Sequence, residues 1–241
     1  MILEVEFEEI NQEVEIEMDE VNIVSDGGYD KGYAEGKADG YQAGYDIGFN
    51  NGQSSAVSQY THIDFCQFSG DQTIDTGIIC TQDTKIKAVF TREKSSAQYL
   101  YGVASADNQA SVTAYLSNGG TWRFGDKRYS ISIDVSEDFI QTAIVDKKGF
   151  VFSKVDSGIS SLTDFKTIST LTIGSCRNAN GTLGTPQFDG KIFHFSIWQG
   201  EELVLNLCPV VTADGEYGFL NSIDNVFYGS ITDVPLDGGN L

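Results

Sequence analysis

Seven residues in three parts of the chain have the chemistry to bind a sugar. Sugar sites need aromatic rings that cover apolar ring faces, and amide or carboxylate groups that bond hydroxyls. The candidate ligand-binding residues are Trp122, Arg123 and Asp126 after a Gly-Gly turn, Arg177, Asn178 and Asn180 in a polar loop, and Trp198 at the end of a strand pattern.

Each candidate also has a structural interpretation. Trp122 either plugs a core or offers a ligand platform, and Trp198 either offers a platform or packs under a loop. His194 is interpreted as a hydrogen-bonded structural histidine, and the Asn and Asp residues are turn formers as well as ligands. In the strand pattern 188–198, Phe193, Phe195 and Ile197 share one face and are expected in the core. His194, Ser196 and Trp198 share the other face.

Catalytic and metal motifs are not found. The sequence contains neither a G-x-S-x-G nucleophile elbow nor a Walker phosphate loop. No loop has the spaced ligands of a calcium motif, and neither of the two histidines lies near a cysteine pair. We therefore expect no enzyme, no metal and no cofactor. Without CxxC spacing, free buried thiols are predicted for Cys66, Cys80, Cys176 and Cys208.

From about residue 60 the chain reads as short strands separated by turns. Asp146 to Gly149 is a hairpin signal, and one helical turn is predicted near 160–165. Many short strands at this spacing predict a mainly β protein with a β-sandwich. The predicted strands are 61–68, 73–80, 84–92, 98–105, 111–117, 121–125, 128–135, 139–145, 149–155, 168–174, 188–198, 202–208, 216–220 and 226–229.

Residues 26–52 carry glycine at every fourth position. Each interior glycine costs a helix roughly 1 kcal/mol relative to alanine. A helix is therefore reasonable only if the glycine row lets other helices approach closely, as small residues do in Gly-xxx-Gly packing. A right-handed helical oligomerisation stalk, as a trimer, is one interpretation, and a flexible linker is the other. The stalk would use Gly28, Gly32, Gly36, Gly40, Gly44, Gly48 and Gly52, covered by Tyr29, Tyr33, Tyr41 and Tyr45.

The first residues alternate between apolar and acidic. Leu3, Val5 and Phe7 face one way while glutamates face the other, and residues 13–18 repeat the pattern. Period two with a break predicts a β-hairpin whose apolar face must pack on something. Its acidic face is either solvated or docks on a basic socket of a larger assembly.

The charge balance excludes some partners. The chain has 241 residues and a net charge of −20, with nine acids and no base in residues 1–24. This charge argues against nucleic acid as a partner. The acidic start does not resemble a signal peptide, and no stretch is apolar enough to insert in a membrane.

Four phrases resemble the concanavalin A-like (laminin-G-like) jelly-roll domains of phage and prophage structural proteins. They are GDQTIDTGIICTQDTKIKAVFT, LYGVASADNQASVTAYLSNGGTWRFGD, LTIGSCRNANGTLGTPQFDGKIFHFSIWQGEELVLNLCPV and DGEYGFLNSIDNVFYGS, which together cover roughly residues 60–230. The acidic alternating start and the Gly-Tyr repeat resemble the N-terminal part of phage tail and fibre proteins. The resemblance implies a jelly-roll sandwich displayed on a virion and made in the cytoplasm of a bacterial host.

Sandwiches of that class include glycoside hydrolases with an E-x-D-x-x-E strand. Here the corresponding run begins at Ser132, so Asp134 and Glu137 lack the first glutamate and are interpreted as a solvated strand edge. A polysaccharide-cleaving enzyme is therefore disfavoured. The two remaining hypotheses are a tail, neck or head fibre that binds a cell-surface glycan, and a purely architectural virion subunit.

The predicted organisation has three parts. Residues 1–25 are the acidic hairpin that anchors the chain to other virion proteins, chiefly through residues 1–24. Residues 26–59 are the stalk and a connector, and residues 60–241 are the sandwich.

Overall fold

The computed structural model describes residues 59–93, 96–106, 110–117, 119–131, 140–152, 155–158 and 162–240. These residues belong to a compact unit, Ser58–Leu241. The predicted hairpin at 1–25, the predicted stalk at 26–52 and the carboxylates Asp134 and Glu137 lie outside the described residues.

The described part is built from strands, as the period-two patterns predict. Seventeen of them occur in the ranges described. In chain order they are β1 (Tyr60–His62), β2 (Phe65–Ser69), β3 (Ile74–Thr81), β4 (Thr84–Arg92), β5 (Gln98–Val103), β6 (Ser111–Leu116), β7 (Gly120–Gly125), β8 (Lys127–Ile131), β9 (Gln141–Asp146), β10 (Gly149–Phe152), β11 (Val155–Gly158), β12 (Lys166–Ile173), β13 (Asp189–Gln199), β14 (Glu202–Thr212), β15 (Tyr217–Asn221), β16 (Phe227–Tyr228) and β17 (Asp237–Gly239).

The strands and turns differ from the sequence prediction in several places. The predicted strand 61–68 is divided into β1 and β2 at Ile63-Asp64, and β11 and β17 were not predicted. The helical turn expected near 160–165 is wrong for residues 162–165, which have no regular structure. There Phe165 is buried against Phe124, with ring centroids 5.2 Å apart, so packing rather than helical propensity fixes the segment.

The strands form two antiparallel sheets. One has six strands in the order β3-β12-β5-β6-β7-β8. The other has eleven, with β11-β10-β9-β4-β13-β14-β15-β16 as its main path, and β1 on β14, β2 on β13 and β17 on β2. β13 is long enough to pair with β4 along its length, while β2 and β14 share its other side. The predicted hairpin at Asp146 is confirmed, because β9 pairs with β10 and the Asp146 carboxylate accepts from Lys148 N at 2.7 Å.

The core lies between the two sheets. Tyr101 of the six-stranded sheet contacts Phe195 of the eleven-stranded sheet with ring centroids 5.6 Å apart. Trp122 of the six-stranded sheet also contacts Phe150 of the eleven-stranded sheet, with ring centroids 4.4 Å apart. Full burial of one such side chain contributes about 1.5–3 kcal/mol, so these contacts hold the sandwich together. The prediction that Phe195 and Ile197 are core residues is confirmed. For Phe193 it is wrong: this residue is half-buried, because the pairing of β13 with β4 shifts register between Ile192 and His194 and so breaks the alternation.

The four cysteines are buried and unpaired, as predicted. Burial raises the pKa of the Cys80 thiol to about 12, which keeps it protonated. Within the described ranges, no helix has the length and hydropathy needed to cross a membrane.

Candidate functional site

A groove of about 310 Å³ lies on the six-stranded sheet, on the face turned away from the core. Strands β5 to β8 form its floor. The side chains that define its chemistry are Tyr99, Thr113, Tyr115, Thr121, Arg123 and Arg128.

Strand alternation explains why these residues share one face. In β6, Val112, Ala114 and Leu116 are buried in the core, so Thr113 and Tyr115 between them point outward. The groove floor is the outward face of a strand whose inward face is core.

Strand register arranges the outward residues in two rows. Tyr99 lies opposite Tyr115, which in turn lies opposite Thr121. In the second row, Thr113 lies opposite Arg123, and Arg123 lies opposite Arg128. One end of the groove is therefore aromatic and the other is cationic. The Tyr99 and Tyr115 rings are 4.8 Å apart between centroids, tilted by 57°.

The segment 174–187 forms a wall beside β5. Backbone hydrogen bonds fix it there: Arg177 N donates to Gly102 O at 3.1 Å, and Tyr99 N donates to Pro186 O at 3.0 Å. Cys176 of this segment lines the groove. An added Cβ at Gly102 would lie 2.8 Å from Cys176 Sγ, so only glycine lets the wall approach this closely.

The charge in the groove is positive. None of the described lining residues is acidic. Burial raises the pKa of the Cys176 thiol to about 12, so this thiol is neutral. Burial also raises the pKa of Tyr99, although the Arg123 charge acts in the opposite direction. The groove therefore offers hydroxyl groups, two aromatic rings and two guanidinium groups.

Of the seven residues proposed from the sequence, Arg123 lies in this groove. Trp122 does not, and the platform interpretation is corrected. Its side chain is 1% exposed and contacts Phe150 and Phe152, because neighbouring residues of a strand point to opposite faces. The structure thus selects the core alternative for Trp122.

Two further candidates are held by intramolecular bonds. Asp126 lies in the turn between β7 and β8, where Lys127 Nζ donates to its carboxylate at 2.9 Å. The hydrogen bond from Lys127 holds the pKa of the Asp126 carboxyl below its ordinary value. Arg177 donates from Nη2 to Asp75 Oδ2 at 2.8 Å. It lies next to Cys176 but is not a lining residue of the groove.

The remaining candidates do not line the groove. Asn178 and Asn180 bond Thr182 within their own loop, with Thr182 Oγ1 donating to Asn180 Oδ1 at 2.7 Å. Trp198 is on the eleven-stranded sheet, half-buried, with Lys85 Nζ 4.6 Å from its ring centroid. The structure therefore does not bring these residues together with Arg123.

Sequence reasoning missed Tyr99, Thr113, Tyr115 and Arg128. A signal was present, because Thr113 and Tyr115 alternate with apolar residues within the predicted strand 111–117. Period two assigns such residues to the face opposite the core. It does not show which strands lie side by side.

His194 and Ser196 form a polar cluster on the other sheet. His194 is 6% exposed and Ser196 is 1% exposed. Ser196 Oγ donates to Asn206 Oδ1 at 2.9 Å, so its oxygen accepts from His194 Nε2 at 2.6 Å. A serine beside a histidine is a nucleophile arrangement in some hydrolases, but this hydroxyl is buried and already donates its proton. The cluster fits the structural interpretation of His194.

The chain is therefore a β-sandwich with a groove on the outer face of one sheet. No known family profile matches the chain, and no curated protein matches it. Among solved structures, it is similar to the CBM40 of a Ruminococcus gnavus IT-sialidase at 13% identity and TM-score 0.42, covering 58% of this chain and 91% of that one.

Domains LG4-5 of the mouse laminin alpha1 chain are similar at 13% identity and TM-score 0.42. That match covers 67% of this chain and 48% of the laminin chain. This chain thus spans about half the length of the laminin structure.

Proposed function

We propose that this protein is lectin-like and that it binds a carbohydrate in the groove of the six-stranded sheet. The observation that carries the proposal is the Tyr99–Tyr115 ring pair beside a row of hydroxyl and guanidinium groups on one accessible face. Aromatic rings cover the apolar faces of sugars, and hydroxyl and guanidinium groups bond sugar oxygens. The protein acts by binding rather than by catalysis.

We further propose that the sandwich is of the concanavalin A-like jelly-roll type and belongs to a phage virion, as a tail, neck or head fibre. The support is the resemblance of residues 70–91, which form β3 and β4, and of the three later phrases to phage structural domains. The groove would then contact a glycan of the host surface. The protein would be made in the host cytoplasm and reside in the virion.

The assembly proposals rest on the N-terminal sequence. The glycine row at 26–52 supports a homotrimer, and the acidic hairpin supports docking to other virion proteins through residues 1–24. Nucleic acid and membrane insertion are not proposed as partners.

A second candidate function is a purely architectural subunit. Exposed apolar side chains favour it, because four of them lie within residues 223–234: Ile223, Val226, Ile231 and Val234. Where such side chains form a contiguous patch, they mark contacts with neighbouring proteins. In this role the sandwich would bind no glycan.

A glycan array probed with the full-length protein separates the two functions. Tyr115→Ala should lower the affinity for a bound glycan about tenfold, because it removes one ring of the pair. Ile168→Ala is the matched control, since Ile168 is 64% exposed on the same sheet and does not line the groove. The absence of binding to every glycan would favour the architectural function, and equal affinities of the two variants would place the ligand outside the groove.

A further inference from the structure

The cationic end of the groove contains two arginines on adjacent strands. Arg123 of β7 and Arg128 of β8 are directly opposite in the register. Side chains opposite each other in an antiparallel pair have Cβ atoms about 4.5–5.5 Å apart, and like charges at such positions destabilise the sheet. This pair therefore opposes the folding of the hairpin that carries it.

Local acidic residues do not neutralise the pair. Neither arginine forms an ion pair with any residue in the described ranges, although Lys127, Lys147 and Arg177 each do. The nearest carboxylate along the chain, Asp126, bonds Lys127 and Thr163 instead. The two guanidinium groups thus keep their donors for a ligand.

The rest of the chain makes this positive site unusual. The protein has a net charge of −20, with 35 acidic and 15 basic residues. Two uncompensated guanidinium groups in one groove of such a protein are more consistent with a selected ligand than with general solubility. Planar guanidinium groups match the geometry of carboxylates and other oxyanions, which they bind with two parallel hydrogen bonds.

We propose that the groove binds an acidic saccharide, with the anionic group between Arg123 and Arg128 and a sugar ring on Tyr99 and Tyr115. The inference rests on the proposed carbohydrate binding and adds the class of ligand. The shared chemistry is an oxyanion on a sugar, which occurs as the carboxylate of a uronic acid or as a sulfate ester.

The test is an array of matched glycans. Each is present as the neutral parent, as the sulfate ester of that parent, as the corresponding uronic acid and as the methyl ester of the uronic acid. Full-length protein should bind the acidic members, and the methyl ester should bind at least tenfold more weakly than the free acid. Comparison of the carboxylate and sulfate arms identifies the anionic group. Binding should also weaken as salt is raised, because charge attraction is screened.

Two variants that each remove one positive charge connect the binding to the groove. Arg128→Gln should lower affinity for the acidic glycan about tenfold, and this loss should be larger than the loss for the neutral parent. Lys166→Gln is the control, because Lys166 is exposed on β12 of the same sheet and does not line the groove. Circular dichroism checks that both variants fold.

The outcomes distinguish this inference from the proposed function. Equal binding of acid and methyl ester, or equal effects of Arg128→Gln and Lys166→Gln, would overturn the acidic ligand while carbohydrate binding stands. Competition by inorganic sulfate alone, as strong as by the acidic glycan, would reduce the pair to a general anion site and overturn the proposal. Binding to no glycan would overturn both.

Discussion

At the scale of single residues, two neighbours in sequence have opposite roles. Trp122 fills the core while Arg123 lines the groove, because successive residues of β7 point to opposite faces. Trp122 is large and its burial is complete, so it stabilises the sheet on which Arg123 is presented.

His194 gives a prediction about pH. Burial, followed by the charge of Lys87, lowers the pKa of His194 to about 4 from 6.5. The folded state therefore favours the neutral ring. Its contribution is complete above pH 6.5 and is lost as the pH falls towards 4, by about 3 kcal/mol. His194→Gln should flatten the pH dependence of the free energy of unfolding in this interval.

Denaturant titrations between pH 4 and pH 7 measure this effect. His62→Gln is the matched control, because the chain contains only these two histidines. If His62→Gln flattened the curve as much as His194→Gln, the assignment to His194 would be wrong.

At the level of elements, β13 lies between β2 and β4 in the larger sheet, and its backbone approaches β4 closely at one residue. Gly190 lies opposite Phe68 of β2 and Arg92 of β4. Its φ is +157°, and an added Cβ would lie 2.2 Å from Thr91 O, which is backbone. A side chain there would push β4 and β13 apart.

Gly190→Ala should therefore destabilise the fold by about 1–3 kcal/mol beyond the cost of backbone strain alone. Gly181→Ala supplies the strain-only control, since Gly181 has a φ of +84° and open space around the position of a Cβ. Equilibrium unfolding in urea measures both. Similar losses for the two variants would show that the close approach does not limit the sheet.

At the scale of the whole molecule, the oligomer remains a prediction from the sequence. Gly40→Leu should weaken a trimer held by the glycine row, because a large side chain separates the helices. Light scattering on the full-length protein measures the mass. A monomer at micromolar concentration with the row intact would contradict the stalk.

Deletion of residues 1–24 tests the anchor. The truncated protein should fail to enter particles that lack the protein, yet keep the proposed glycan binding, because the lining residues of the groove all lie in the sandwich. Incorporation of full-length protein should weaken at high salt if a basic socket holds the acidic face. Equal incorporation of the truncated form would reverse the assignment of the two ends.

Local patterns in the sequence predict most of the strands, though not β11 or β17, and part of the core. Alternation placed Phe195 and Ile197 in the core, and turn residues located the hairpin at Asp146. These features depend on residues close together in the chain, so periodicity and turn chemistry are sufficient to predict them. Polar residues in loops have no such periodicity. Asn178 and Asn180, which are sugar ligands in the sequence prediction, instead bond Thr182 within their own loop.

The composition of the groove depends on how four strands pair in the folded sheet. Tyr99, Tyr115, Arg123 and Arg128 come from four different strands, and their proximity follows from strand order and register. Register depends on the turn of each hairpin and on which face of the sheet packs against its partner, and the residue pattern of a single strand contains neither. The pairing of the two arginines therefore became visible only when β7 and β8 were placed side by side.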